Sequence, residues 1–271
     1  NCTWQYCSGY MYHDEKIWGF SQTHLNGTGC SDLGDVQLQP FTGPVVRENY
    51  HSAYTKPTQQ AKPGYYAVTL DDFGVDVQLT ASPHVAFHRY TYKLPTAARL
   101  LVDLQYGIVG GKDALQNHIL ASDVTTEDTY TLSGHNQARA WVTRHYYYVI
   151  KFDKPYAAIR RLEARPGEKA PRYALDFDLK AGETLQVKVA LSTVSVEGAK
   201  KNLAAEVPGW DFERVRAKAA AAWNELLSRA EVRGSQAQKE NFYTALYHLF
   251  IQPNNIADVD GQYRGADDKV L

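Results

Sequence analysis

The chain has 271 residues, 44% of them hydrophobic. That is enough for one large domain or two smaller ones, and a protein of this size hides about three quarters of its unfolded surface. Its 29 basic and 30 acidic residues leave a formal net charge of −1 with no long run of either sign, which argues against a nucleic-acid or anionic-membrane surface, and no apolar run is long enough for a transmembrane segment.

Asn1 is neither an initiator Met nor the start of a basic-then-apolar leader, so any export signal is expected to be no part of this chain. Three cysteines, Cys2, Cys7 and Cys30, fall in the first 30 residues; they allow one bridge, and their pairing stays open. Their C-x4-C spacing, with His13 and His24 distant, matches no closed zinc pattern. Asn1-Cys2-Thr3 and Asn26-Gly27-Thr28 fit the glycosylation sequon, a frequent chance match.

Gly19 to Asp35 is the stretch least like scaffold. Four glycines stand among short hydroxyl, amide and carboxylate side chains, with only Phe20, Leu25 and Leu33 available for a core. Ordering such a segment is entropically costly and buries little apolar surface. Trp4, Tyr6, Tyr10, Tyr12, Trp18 and Phe20 lie at or before its start. Flat apolar faces beside a dense hydrogen-bonding loop suit a sugar ring, with its C–H faces and hydroxyl edge. A surface Ω-loop with Asx-turns at Asn26 and Asp32 fits the same composition.

From Val36 to about Thr193 the pattern is of strands: Tyr65–Leu70, Val75–Thr80, Val85–Tyr92, Arg99–Leu104, Ala140–Phe152, Ile159–Leu162, Tyr173–Leu179 and Leu185–Leu191. Breakers such as Lys62-Pro63-Gly64, Gly110-Gly111 and Ser133-Gly134 separate them, and no helical segment intervenes, which predicts a mainly β, antiparallel sandwich. Leu185 to Ala190 alternates as if one face were wet, Trp141 to Ile150 reads as a central strand or one under a second layer, and Lys56 to Lys62 as a surface loop.

At Val194 the period changes. Glu197–Val207 predicts a helix stopped by Pro208-Gly209. Asp211 starts a second, striped by Phe212, Val215, Ala219, Ala222, Trp223, Leu226 and Ala230. Ser235 and Gln238 form a capping box, worth about 1 kcal/mol, for a third helix striped by Phe242, Ala245, Leu246 and Leu249 and stopped by Pro253. Such helices are marginal alone in water and need a partner surface. The last loop, Asn254 to Asp268, sets Asp258, Asp260, Arg264, Asp267 and Asp268 around Gly261 and Gly265. It lacks the later Glu and the flanking helix pair of an EF-hand, and spacing alone favours an Asp-rich turn with Arg264 paired to Asp258 or Asp260.

These segments together resemble glycoside hydrolase family 92, the calcium-dependent exo-acting α-mannosidases. The matching pieces are S-G-Y at Ser8–Tyr10, G-F-S-Q-T-H-L-N-G-T-G-C at Gly19–Cys30 with Gly34-Asp35, P-G-Y-Y at Pro63–Tyr66, H-R-Y-T at His88–Thr91, V-S-V-E-G-A-K-K-N-L at Val194–Leu203, W-D-F at Trp210–Phe212, F-Y-T-A-L-Y-H at Phe242–His248 and D-V-D-G-Q-Y-R-G at Asp258–Gly265. The resemblance implies a β-sandwich (supersandwich) over 1–193, a helical linker over 194–233 and, over 234–271, the first helix of an incomplete (α/α)6 barrel. It implies an inverting mechanism, with a carboxylic acid and a water-activating carboxylate roughly 6.5 to 9.5 Å apart, and Ca2+ holding two hydroxyls of the terminal mannose.

The family's general acid in E-G-N-x-W-Q-Y, its G-N-E-P segment and its general base in D-x-G-Q-M-S-A-W have no counterpart in the 271 residues. The chain therefore resembles the N-terminal part of the enzyme, expected to carry no catalytic residue, to leave most calcium ligands to the rest of the same polypeptide, and to need that remainder to complete the site. What the resemblance carries over is the pocket wall: Asp258, Asp260 and Arg264 toward the mannose ring, and Trp18, Tyr6 and His24 toward the sugar beyond the cleaved bond. The two loops are expected to close over one mannose. For Trp18 and Tyr6, packing beneath the loop is the competing reading; His24 reads as a loop-fixing donor. The motif more often has His where Gln22 stands. The substrates implied are mannose-terminated glycans, N-glycans and α-1,2-linked caps among them, handled in a secreted, periplasmic or cell-surface setting of a bacterium. The alternatives are a non-catalytic carbohydrate-binding β-sandwich module and an assembly domain.

Overall fold

A computed structural model describes residues 11–23, 33–45, 50–107, 118–139 and 142–271. Cys2, Cys7, Cys30, Tyr6, His24 and both sequons lie outside the described residues. Strands of six or more residues are β2 (Gln37–Thr42), β5 (Tyr65–Leu70), β6 (Val75–Ala81), β7 (Val85–Tyr92), β8 (Ala98–Asp103), β9 (Ile119–Asp128), β10 (Thr131–Arg139), β11 (Thr143–Phe152), β13 (Arg172–Phe177) and β14 (Thr184–Ser192). The shorter ones are β1 (Lys16–Ile17), β3 (Ser52–Ala53), β4 (Gln60–Lys62) and β12 (Ala158–Arg161).

They form an eight-stranded sheet in the order β4-β5-β6-β7-β14-β11-β10-β9, a four-stranded sheet β12-β13-β8-β2 and the small pair β1-β3. Every pairing is antiparallel. Between the two large sheets lies the main core, built from the inward positions of both, with Leu38, Leu100 and Val102 against Tyr90, Tyr148 and Ile150. Burying apolar area in this way contributes roughly 25 cal/mol per Å2, and it is the main force that holds the two layers of a sandwich together.

The mainly β sandwich is thus confirmed, with β5 and β7 falling on the predicted residues. β11 has partners on both sides, as its two-sided apolar pattern predicts. Four expectations need correction. β2, β9 and β10 are strands the alternation did not separate. Ser133-Gly134, predicted as a breaker, sits inside β10: Gly134 pairs with Val124 and Tyr148, and a Cβ there would collide with the Asp123 carbonyl and the Tyr148 hydroxyl. Lys56–Lys62 holds a 3-10 turn, Lys56–Thr58, and the edge strand β4. The second face of β14 is not wet, because helices cover it.

Those helices are α1 (Val196–Glu206), α2 (Phe212–Leu227) and α3 (Gln236–Phe250). Ser195 caps α1 by accepting from the Gly198 amide, Asp211 caps α2 through the Arg214 amide, and both halves of the Ser235/Gln238 capping box form on α3. Ala199, Leu203, Phe212 and Val215 bury themselves on Val85, Phe87, Val149 and Ala190 of the large sheet. Lys188 of β14 points into this seam, its Nζ 2.9 Å from the Val207 carbonyl, 3.2 Å from that of Gly209 and 4.0 Å from the Trp210 ring centroid. Burial brings its pKa down to about 8. The third helix differs: it buries no residue, and Leu249 of its predicted stripe is 68% exposed. The Trp223 and Tyr247 rings, 4.6 Å apart, tie it to α2, and the Tyr243 hydroxyl donates to the Ala230 carbonyl in the connection between the two helices.

Candidate functional site: an aromatic cleft and two anchored loops

The glycine-rich stretch is clamped at its stem. Phe20 bridges to Leu38, the Gln22 amide donates to the Asp35 carbonyl and the Gly34 amide to that of Thr23. Leu33 and Val36 have φ of 64° and 53°. A β-branched residue in the left-handed region costs on the order of 1 to 3 kcal/mol, so the surroundings must impose it. They do so through Asp35, whose fully buried carboxylate accepts from Thr23 Oγ1 at 3.0 Å, His118 Nε2 at 3.0 Å and Arg144 Nη2 at 3.2 Å. Burial pushes the Asp35 carboxyl up, but the His118 bond, the Arg144 charge and the Thr23 hydroxyl outweigh it and hold it below the ordinary value.

Beside this stem opens a cleft of about 870 Å3, running between the β4–β7 end of the large sheet and α3. Trp18, Gln22, Tyr66, His88, Tyr106 and Tyr247 are among its walls. Trp18 is 50% exposed, its ring 4.8 Å from that of His51, while its carbonyl is held by Gln37 Nε2 at 3.0 Å. Gly19, at φ +148°, lets the chain pass Gln37, whose side chain fills the space a Cβ would need. The cleft therefore offers a large exposed indole among phenol hydroxyls and amides, the apolar-face and polar-edge combination a sugar ring requires. A smaller open hollow of about 540 Å3 lies by Asp176, Asp178 and Lys180, where the one aromatic, Phe177, is buried.

The C-terminal loop lies elsewhere. Among the described residues lining the cleft, none comes from Asn254 to Asp268, so the structure does not bring Trp18 together with Asp258, Asp260 and Arg264 in one cavity. Asp258 is 4% exposed; its carboxylate accepts from Ser192 Oγ at 2.6 Å and Asn202 Nδ2 at 2.8 Å, and Gly198 is glycine where a Cβ would strike it. Asp260 is open to solvent and meets Lys201 Nζ at 2.9 Å, a bond that lowers its pKa. Arg264 pairs with neither of these, which corrects the spacing argument. Its guanidinium donates to the Thr193 carbonyl at 2.9 Å and to the carbonyl and carboxylate of Asp268 at 2.9 and 3.2 Å. Asp268 also approaches His145 Nε2 at 3.5 Å, and His145 in turn hydrogen-bonds to His135 at 2.9 Å. Among the described residues no group of three or more His, Cys, Asp or Glu is placed to hold a metal.

Two clusters escaped the sequence reading: Asp35 with His118 and Arg144, and Gln22 with His88 and Tyr90. Both contain residues of the motif pieces, Gly34-Asp35 and H-R-Y-T, and polar residues inside otherwise apolar strands were the available signal.

Comparison with known proteins agrees with this architecture. Residues 1–192 match the glycosyl hydrolase family 92 N-terminal domain and residues 198–271 the glycosyl hydrolase family 92 catalytic domain. The chain belongs to glycosyl hydrolase family 92. The GH92 α-mannosidase BT3965 of Bacteroides thetaiotaomicron superposes with a TM-score of 0.90 at 31% identity, over 99% of this chain and 39% of its own. The GH92 inverting mannosidase BT2199 of the same organism shares the fold, with a TM-score of 0.83 at 24% identity over 96% of this chain and 36% of its own. A secreted glycosidase of Arthroderma benhamiae is 26% identical over 291 residues, 91% of this chain and 36% of the relative. The chain thus spans little more than a third of the length of these relatives.

Proposed function

We propose that this chain supplies the sandwich wall and the opening helices of an inverting, exo-acting α-mannosidase that removes terminal mannose, α-1,2-linked residues among them, from glycans. The observation that carries the reading is the cleft between Trp18 on the sandwich side and Tyr247 on α3, a helix inside the catalytic-domain match. That match also favours an enzyme over a non-catalytic carbohydrate-binding module. In this reading the sandwich spans 1–193, the helical linker 194–233 and the start of the (α/α)6 barrel 234–271. The remainder of the polypeptide contributes the acid, the base and the calcium ligands.

Trp18 stacks on the sugar beyond the cleaved bond, the sugar that the family resemblance also gives to Tyr6 and His24; Asp260, on a loop that lies outside this cleft, meets the mannose only through a site that the remainder of the polypeptide completes. Asp258 holds that loop in place from inside. The relative from Arthroderma benhamiae being secreted supports a location outside the cytoplasm, in a bacterium the periplasm, the cell surface or the medium, and among the described residues no helix is long and apolar enough to cross a membrane.

The test is hydrolysis of an α-1,2-mannobioside by the complete enzyme. Activity should fall with a chelator and return with Ca2+; activity untouched by chelation ends the calcium part, and no mannoside hydrolysis ends the whole reading. Trp18→Ala should raise KM on the order of tenfold, about 1.4 kcal/mol of lost binding.

A further inference from the structure

Gln22, in the wall of the cleft, is held so that each of its polar atoms has one role. Its Nε2 donates to the Phe20 carbonyl at 2.8 Å, and that carbonyl also accepts the Leu38 amide at 3.0 Å. A carbonyl cannot donate, so the amide cannot be flipped without setting two acceptors against each other. Gln22 Oε1 therefore faces His88 Nε2, 3.1 Å away, and the His88 proton must sit on Nε2. Nδ1 is left as an acceptor, and the Tyr90 hydroxyl donates to it at 2.6 Å. His88 and Tyr90 are buried, which brings the imidazole down to about 3, keeping it neutral, and keeps the phenol protonated. The relay runs one way, from Tyr90 O–H to His88 to Gln22 to the Phe20 carbonyl. What remains is the second N–H of Gln22 Nε2, on a residue that lines the cleft with Trp18 and Tyr66.

We propose that Gln22 is a specificity-determining residue, a fixed hydrogen-bond donor to an oxygen of the sugar unit lying against Trp18, with His88 and Tyr90 as positioning residues that set its polarity. This rests on the reading of the cleft as a sugar site. A glutamate at this position offers only acceptors, and a methionine of similar length offers neither role. A polar site that loses its partner discriminates strongly between ligands with and without the complementary group.

The experiment compares kcat/KM of the complete enzyme with those of Gln22→Glu and Gln22→Met on two substrates, an α-mannobioside, whose leaving sugar carries hydroxyls, and an aryl α-mannoside, whose leaving group carries none. The expected result is a loss of about tenfold or more on the mannobioside, mainly in KM, against less than about threefold on the aryl mannoside. Equal losses on both substrates, or none on either, overturn the proposal. Long-range proton–nitrogen correlation on histidine-labelled protein supplies a second readout: His88 should show the Nε2–H tautomer, unchanged between about pH 5 and 8. An Nδ1–H tautomer, or titration in that range, overturns it. If the wild type cleaves neither substrate, the mannosidase reading fails on its own. Calorimetric binding of the mannobioside then decides: about tenfold weaker binding by Gln22→Glu supports the donor role, and equal binding removes it.

Discussion

The two glycine-laced loops, one before β2 and one after α3, solve the same problem but set their functional groups in different surroundings. Each is poor in apolar residues, and each sinks one aspartate into the protein to fix its stem: Asp35 onto His118 and Arg144, Asp258 onto Ser192 and Asn202. The first leaves its contact groups in an aromatic cleft, at Trp18 and Gln22. The second leaves Asp260 at the surface and ties Arg264 back onto the seam between β14 and α1. In such a loop the buried carboxylate positions and the exposed groups bind. A buried carboxylate already held by protein donors on both oxygens has little left for a ligand.

Removing Asp35 is the strongest way to break that comparison. Asp35→Ala takes the buried carboxylate from Arg144 and His118 and should cost about 3 to 5 kcal/mol, read by denaturant unfolding. The sign of the pH effect follows from the lowered folded value. The stabilisation is complete above the unfolded pKa of about 3.9 and is lost as pH falls through the folded one. The gap in melting temperature between wild type and Asp35→Asn should therefore shrink as the solution is acidified below about pH 4. A gap that widens on acidification contradicts the assignment.

Asp258→Ala comes next, with about 2 to 3 kcal/mol expected from stranding the Ser192 and Asn202 donors. Gly198→Ala sharpens it, since it evicts the carboxylate without altering charge and should reproduce most of that loss. If both variants melt like the wild type, Asp258 does not anchor the loop. Trp18→Ala, at an exposed position, should change stability by no more than about 0.5 kcal/mol while weakening mannoside binding. The smallest stability effect belongs to Asp260→Ala: its ion pair with Lys201 is solvated, so the melting temperature should not move, and lower kcat/KM on mannosides then assigns Asp260 to the ligand. A folded Asp260→Ala protein with undiminished activity removes that role.

Legibility followed the source of each element's stability. β5 and β7, apolar and β-branched, and the Ser235/Gln238 capping box are local patterns and are found where the sequence sets them. β9 is rich in Thr, Ser and Asp and largely exposed, held by its ladder with β10 rather than by burial, so no apolar alternation marked it. The wet face expected for β14 failed because Lys188 lies beneath the α1–α2 connection, where carbonyls and the Trp210 ring receive its ammonium. At the site, the loop's glycines and Trp18 were conspicuous by composition. Two partners of Asp35, His118 and Arg144, were not, standing 83 and 109 positions away.

The order of residues by itself determined the strand-rich first part, the three capped helices after Val194 and the two polar loops, because alternation, capping and glycine content act over a few neighbouring residues. Tertiary structure alone decided which aspartates are buried, which way the Gln22 amide points and that the two loops do not share a cavity. Those outcomes depend on sheet register and helix docking, which bring together donors and acceptors that no local pattern connects.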